Sequence, residues 1–389
     1  MKPNSYGIIK SANKLLVLNT IKKSGPKTTE DLVYSTRLSR PTILSIIKEL
    51  TKDGLICKSG FAESNVGRQP ALFDLDTKTL FAIGIDFDFA PVRLAVSNLK
   101  GEIIYNREWR VEGDWDVPDI VNSVIKNIQE SLMECNLESD SVIGIGLGLP
   151  AILKIQDNKA IRIDRIQGWE DIPINERITE ATGLNVFSRN DAHLLGMVEV
   201  SYLNDDAKNI LYVVHRAGIG MAVFIDGKLY EGNFGNSGYI GHTKIELNGK
   251  QCECGNTGCL ELYCSKRSIT DEFFKSKEAK EYDEIVSLAS RGNKKAVSIL
   301  REAGMALGYG IANAVKLFDA THVIIGDVGS EDNPLFQSAK SVILESTESF
   351  SIQTVQVSVG KLDKSSFGLG GCHFVLDEFF SEPKLKLQA

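Results

Sequence analysis

Three cysteines fall within eight positions of this 389-residue chain, in the run Cys252-Glu253-Cys254-Gly255-Asn256-Thr257-Gly258-Cys259, and His242 stands ten residues upstream. No other feature restricts the fold as tightly. Thiolate and imidazole are ligands that zinc prefers, and four of them close a tetrahedron with no position left for a catalytic water. The expectation is a structural Zn2+ site built from His242, Cys252, Cys254 and Cys259. Unrelated buried thiols in a turn are the alternative, yet glycines and polar residues separate these cysteines where an apolar run would be needed. Cys264 follows as a substitute ligand or, on a helix begun near Cys259, as a core residue.

The remaining cysteines, Cys57, Cys135 and Cys372, are scattered, and a total of seven does not make a disulfide framework. Reduced thiols suit a cytoplasmic protein. Hydrophobic residues at 43% and charged residues at 24% describe a globular chain long enough for two or three domains. No apolar run reaches the roughly 18 residues of a membrane span, and the Met-Lys-Pro-Asn-Ser start lacks the apolar region of a signal peptide. No membrane partner is expected.

The net charge of −7 is unevenly spread. Residues 1–75 hold 12 Lys and Arg against 6 Asp and Glu, a net of +6 that leaves −13 for the rest. A basic first segment on an acidic body implies that only the first segment meets a polyanion. Its pattern agrees: Leu15, Leu16, Leu18 and Ile21 recur at helical spacing over 11–23 and stop at Ser24-Gly25-Pro26. Thr28 or Thr29 caps a short helix over 30–34. Ser39 caps a third helix over 40–50, with Pro41 tolerated in its first turn.

Strands over 54–58 and 70–75, joined by a polar loop with Gly60, Gly67 and Arg68, complete a winged helix-turn-helix over 1–75. Such a module lays its last helix in the major groove of double-stranded DNA, which makes Arg40, Thr42, Ser45 and Lys48 the candidate contacts. Arg68 at the wing tip suits a minor groove. A helix-turn-helix also serves as a protein-interaction module, and then these residues are merely solvated.

Residues 76–389 read as an α/β body of two lobes around a cleft. Strands are expected over 81–86, 92–98 and 102–111, then a helix over 117–135 and a buried strand over 142–147. A strand over 184–188, helices over 192–202 and 294–318, and a strand over 321–325 follow. The hinge to the first module is expected at 75–80.

The run Gly238-Tyr239-Ile240-Gly241-His242, with the cysteine cluster and Glu261 behind it, resembles the signature of the ROK family of sugar kinases and sugar-responsive repressors. The likeness covers nearly the whole chain and is greatest to regulators of the xylose-repressor type. It implies an actin-like, hexokinase-like body. In the family the Asn190-Asp191 dipeptide meets the sugar, its Asp serving kinases as general base; here either residue also suits as N-cap of the following helix. His242 would hold the metal through one nitrogen and a hydroxyl through the other. Glu261 matches a sugar carboxylate of the family, with a solvated helix start as the alternative. Gly148-Leu149-Pro150 resembles the loop below the sugar.

The chain also departs from the family. The glutamate of Glu-x-Gly-His is Tyr239, a phenol that stacks on a sugar face or blocks it. The first phosphate hairpin, Asp-x-Gly-Gly-Thr in kinases, is Asp86-Phe87-Asp88-Phe89-Ala90; the second, Gly-Thr-Gly-Ile-Gly, is Arg216-Ala217-Gly218-Ile219-Gly220; and Gly326-Asp327 keeps one glycine of a pair. Phosphoryl transfer needs backbone N–H groups placed around the phosphates, so these changes argue against catalysis. The expectation is a non-enzymatic, sugar-responsive repressor. Its partners would be an operator duplex and a monosaccharide, xylose or a relative, and it would work as a homodimer or a dimer of dimers. A phosphosugar ligand or no ligand remains open because of Tyr239, and a kinase carrying an appended DNA module is the rival.

Overall fold

The computed structural model describes residues 5–63, 69–88, 91–110, 117–157, 159–163, 166, 168–203, 207–274, 281–350 and 354–381. It begins with helices α1 (Ser5–Ser24), α2 (Thr29–Thr36) and α3 (Arg40–Lys52), followed by antiparallel strands β1 (Ile56–Phe61) and β2 (Ala71–Leu75). Thr28 caps α2 in a reciprocal box with Asp31, and the Ser39 hydroxyl accepts from the Thr42 N–H at the start of α3. Val17, Leu18, Ile21, Leu32, Ile43, Ile46 and Leu50 make the small core that these periodic apolar residues require. Strand β1 starts two residues later than expected because Gly54 and Leu55 still satisfy the last carbonyls of α3, bonding Thr51 and Leu50.

The first lobe holds β3 (Phe81–Asp86), β4 (Val92–Asn98), β5 (Ile103–Trp109), α4 (Val117–Glu134) and β6 (Val142–Leu149). Three short strands follow, β7 (Ile152–Lys154), β8 (Lys159–Arg162) and β9 (Glu170–Ile172), in a sheet of their own. Then come α5 (Ile174–Thr182), β10 (Val186–Asn190) and α6 (Asp191–Ser201). The main sheet has the order β10-β6-β3-β4-β5; the meander is antiparallel, and β6 and β10 are parallel to β3. Strand β10 lies two residues beyond its expected place, since Gly183 ends α5 and the Leu184 N–H bonds the Thr182 hydroxyl in the turn.

The second lobe repeats this plan. It contains β11 (Ile210–His215), β12 (Ile219–Ile225), β13 (Lys228–Leu229), α7 (Glu261–Cys264), α8 (Lys266–Phe274), α9 (Tyr282–Ser290), α10 (Lys294–Phe318), β14 (His322–Gly326), α11 (Pro334–Thr347) and β15 (Gln356–Val359). Its sheet runs β13-β12-β11-β14-β15, again an antiparallel meander followed by two parallel strands. In such open α/β sheets ligands collect at the carboxyl ends of the strands. Asp86, Asn190, His215 and Gly326 end β3, β10, β11 and β14, so the two sheets aim their strand ends at one cleft.

Helix α12 (Leu369–Ser381) returns to the first lobe and packs on β3, β6 and α6. The approach is close enough that a Cβ on Gly146 would collide with the Gly371 carbonyl. The far end of α12 meets α1: Asn19 Nδ2 donates to the Phe380 carbonyl at 3.0 Å, and Lys22 pairs with Asp377 at 2.9 Å. One hydrophobic cluster therefore runs from Leu18 and Ile21 through Leu75, Leu80 and Phe380 to Leu194 and Val198 on α6. The segment 75–80, expected as a hinge, has both ends buried in that cluster. Among the described residues no helix is long and apolar enough to cross a membrane.

Candidate functional site

Asn190 ends β10 and caps α6, its Oδ1 accepting from the Ala192 N–H at 3.1 Å. The cap turns the next residue, Asp191, into the cleft. Asn190, Asp191, Tyr239, His242 and Glu261 all line one cavity of about 850 Å³, counted with its open mouth, together with Pro150, Arg162 and Arg216. Five residues from three separate stretches of sequence are thus brought together. Arg162 comes from the small sheet, which the sequence pattern did not disclose.

Tyr239 reaches the turn between β6 and β7, its phenol donating to the Ala151 carbonyl at 2.8 Å. The ring stands 6.2 Å from the His242 ring. The phenol therefore fixes the loop after Pro150 as one wall of the cavity, where a glutamate would offer charge. His193 ties the opposite side, with Nε2 2.9 Å from the Ser237 carbonyl. Arg189 points elsewhere: it pairs with Glu231 at 3.0 Å and lies over the Phe374 ring.

Arg216, which follows β11, is 4% exposed and crosses the cleft. Its Nη1 and Nη2 donate to Asp86 Oδ1 and Oδ2 at 2.9 and 2.8 Å, a bidentate pair between the lobes. The same guanidinium lies 3.4 Å from Asp191, 3.7 Å from Asp88 and 4.0 Å from Asp327, over the Phe367 ring. Arg93 adds a contact to Asp86 at 3.4 Å, and Lys266 holds Asp327 at 2.8 Å. Asp86 and Arg216 are 130 residues apart, so spacing gave no signal for the pair.

Burial pushes the Asp191 carboxyl up to about 6; Arg216 opposes the shift, while Asp86 and Asp88 add to it. A carboxyl that keeps its proton to higher pH when folded than when unfolded makes the protein lose stability as pH rises from about 4 to about 6. Above that window its contribution is level. Asp191→Asn is expected to remove this part of the slope. Urea midpoints of both chains at pH 4, 5, 6 and 7 measure it, and a wild-type-minus-variant difference that stays constant over the window contradicts it.

The metal candidates also meet. The ligand atoms of His242, Cys252, Cys254 and Cys259 all lie within 4.8 Å of one another. Cys254 Sγ is 3.7 Å from Cys259 Sγ, and Cys252 Sγ is 3.7 Å from His242 Nδ1. The turn that gathers them depends on Gly258, at φ +72°, where a side chain would strike the Glu246 carbonyl. Glu261 Oε1 stands 3.6 Å from both Cys252 Sγ and His242 Nδ1, so the cluster borders the cavity directly. Cys264 is buried among apolar residues and takes no part.

On α3, Arg40, Ser45 and Lys48 are exposed. Arg40 pairs with Glu30 at 2.6 Å, and Ser45 lies 3.4 Å from Glu49. Thr42 is half-buried, its hydroxyl 2.7 Å from that of Ser39. Arg68 lies outside the described residues.

The xylose repressor of Bacillus subtilis is 28% identical over 376 residues, covering 95% of this chain and 96% of its own length. The xylose repressor of Caldicellulosiruptor bescii is 25% identical, covering 98% and 99%. Among solved structures, a ROK-family transcriptional regulator homologous to the Escherichia coli Mlc protein superposes with a TM-score of 0.78 at 23% identity over 96% of this chain and 97% of its own. A glucokinase from Streptomyces griseus, solved with glucose and AMPPNP, reaches 0.65 at 21% identity and covers 98% of its own length but 76% of this chain. The ROK family model matches residues 82–377, and the chain belongs to the ROK family.

Proposed function

We propose that this protein is a cytoplasmic, sugar-responsive transcription regulator, a repressor of carbohydrate-utilisation genes whose body binds a monosaccharide without phosphorylating it. The relatives that span its whole length are named as regulators, whereas the glucokinase aligns with about three quarters of it. The observation that carries the absence of catalysis is Arg216. Its guanidinium lies between Asp86, Asp88 and Asp191, where a kinase would seat phosphates beside its base. A carboxylate held 3.4 Å from a buried arginine, among two further carboxylates, is a poor place for a polyphosphate.

In this reading Asn190, Asp191, Glu261 and the Nε2 of His242 present hydrogen-bonding groups to sugar hydroxyls, and Tyr239 shapes the wall. The ion held by His242, Cys252, Cys254 and Cys259 is zinc. A tetrahedral centre about 2.3 Å from each sulfur and about 2.0 Å from the nitrogen needs S–S edges of about 3.8 Å and S–N edges of about 3.5 Å, close to the 3.7 Å of both Cys254–Cys259 and Cys252–His242. With Nδ1 turned to the metal, the ion fixes the ring and leaves its other nitrogen for the ligand. Residues 1–75 form the DNA module, and Arg40, Thr42, Ser45, Lys48 and Arg68 contact an operator. Two such modules in a homodimer would read half-sites about 34 Å apart.

The sugar acts by binding one arrangement of the lobes better than the other. Helix α6, which starts at Asp191, shares a core with α12 and α1, and so couples the cavity to the module. The test is an operator footprint with and without xylose, glucose, N-acetylglucosamine and their phosphates, beside a coupled kinase assay on the same sugars. A sugar-dependent footprint without turnover is expected. Formation of a sugar phosphate would establish the kinase instead, and a footprint indifferent to every sugar would leave a regulator without an effector.

A further inference from the structure

The exposed face of α3 is less polar than Arg40, Thr42, Ser45 and Lys48 alone would make it. Arg40 is held by Glu30, the Thr42 hydroxyl by Ser39, and Ser45 lies against Glu49. Between them, on the same exposed face, stand Pro41 and Leu44, three residues apart, with Lys48 one turn further on. Leu44 is 50% exposed, while Ile43, Ile46, Ile47 and Leu50 turn inward to the core. A leucine left on the outer face by a helix that buries its other large aliphatics needs a partner only if that face is covered. The +6 charge of residues 1–75 says by what: a polyanion.

In a major groove the apolar group that a duplex offers at its base edges is the C5 methyl of thymine. We infer that Leu44, with Pro41 beside it, reads thymine methyl groups in the operator half-site, and that this apolar contact supplies part of the sequence discrimination. The inference rests on the DNA-binding reading above. Lys48, which makes no ion pair among the described residues, lies one turn further along to meet a phosphate or a guanine edge. Leu44 specifies while its basic neighbours attract.

The chemistry has an unusually direct probe, because deoxyuridine is thymidine without that methyl. Duplexes retained by the full-length protein from a random pool are resynthesised with deoxyuridine in place of each thymidine in turn, and binding is measured for the wild type and for Leu44→Ala. At one or two positions per half-site the wild type should weaken by roughly fourfold per methyl lost. Leu44→Ala should be weaker on the thymidine duplex and indifferent to deoxyuridine at those positions. Its salt dependence should match the wild type, since phosphate contacts are untouched.

A retained sequence without thymine in the half-site, a wild type unaffected by deoxyuridine anywhere, or a variant with the full deoxyuridine penalty each overturns the inference and leaves the DNA-binding reading intact. Failure to retain any duplex overturns both. The exposure of Leu44 keeps folding out of the result, and the deoxyuridine series on the wild type needs no variant.

Discussion

Replacing Arg216 by alanine is expected to cost about 3–5 kcal/mol of folding stability, the usual consequence of removing one partner from a buried ion pair. The reason is in what remains. Among the described residues, Asp86, 3% exposed, would keep only Arg93 at 3.4 Å, and Asp191 would face Asp86 and Asp88 with no cation between them. Against a total stability of about 5–15 kcal/mol this is a large share. Arg216→Lys should recover part of it, since an ammonium keeps the charge but not the two parallel bonds. Asp86→Ala combined with Arg216→Ala should also be less damaging than the sum of the two single changes, because the stranded charge has gone. Urea titrations of the wild type and the four variants, Asp86→Ala alone among them, decide: a loss below about 1 kcal/mol in Arg216→Ala would mean that the lobes do not depend on this pair.

The second large effect concerns the metal. Cys252→Ser together with Cys254→Ser is expected to abolish stoichiometric zinc and to lower the thermal midpoint by on the order of 10 °C, because metal binding to such sites contributes directly to folding. Few apolar side chains hold the loop 246–258 apart from Cys252, so its shape rests on the ligands. The loss should reach the sugar as well, through His242 and Glu261, which border both cluster and cavity. Metal analysis of the purified wild type should give about one zinc per chain, the capacity of one four-ligand site. Wild-type protein that is fully folded, responds to sugar and holds no metal would remove zinc from the account.

The sequence made local features legible and distant ones opaque. Helix α10 matches its expected span because Asn293 caps it and its apolar residues keep one period to Phe318. The four metal candidates lie within 18 positions, so spacing alone brought them together. The small sheet β7-β8-β9 escaped because strands of three or four residues leave no pattern above the noise of a loop. Arg216 was visible as an arginine in a phosphate hairpin, but its partner lies on the other lobe and only the fold brings Asp86 to it. Leu44 carries no signal in the sequence, because an exposed aliphatic cannot be told from a core one without the packing of its neighbours.

The bond between Asn19 and Phe380 joins residues 361 positions apart. On a ribosome adding about 5–20 residues per second, roughly 20–70 s separate the two, so the first three helices emerge long before the surface that seats them has been made. A nascent or prematurely stopped chain would carry these helices without their seat, and with Leu18, Ile21 and Leu75 lacking the neighbours that α12 gives them. On the proposed function, only a finished polypeptide could place its first module under the command of a sugar, and fragments released early would be left as ungoverned competitors or as prey for proteases.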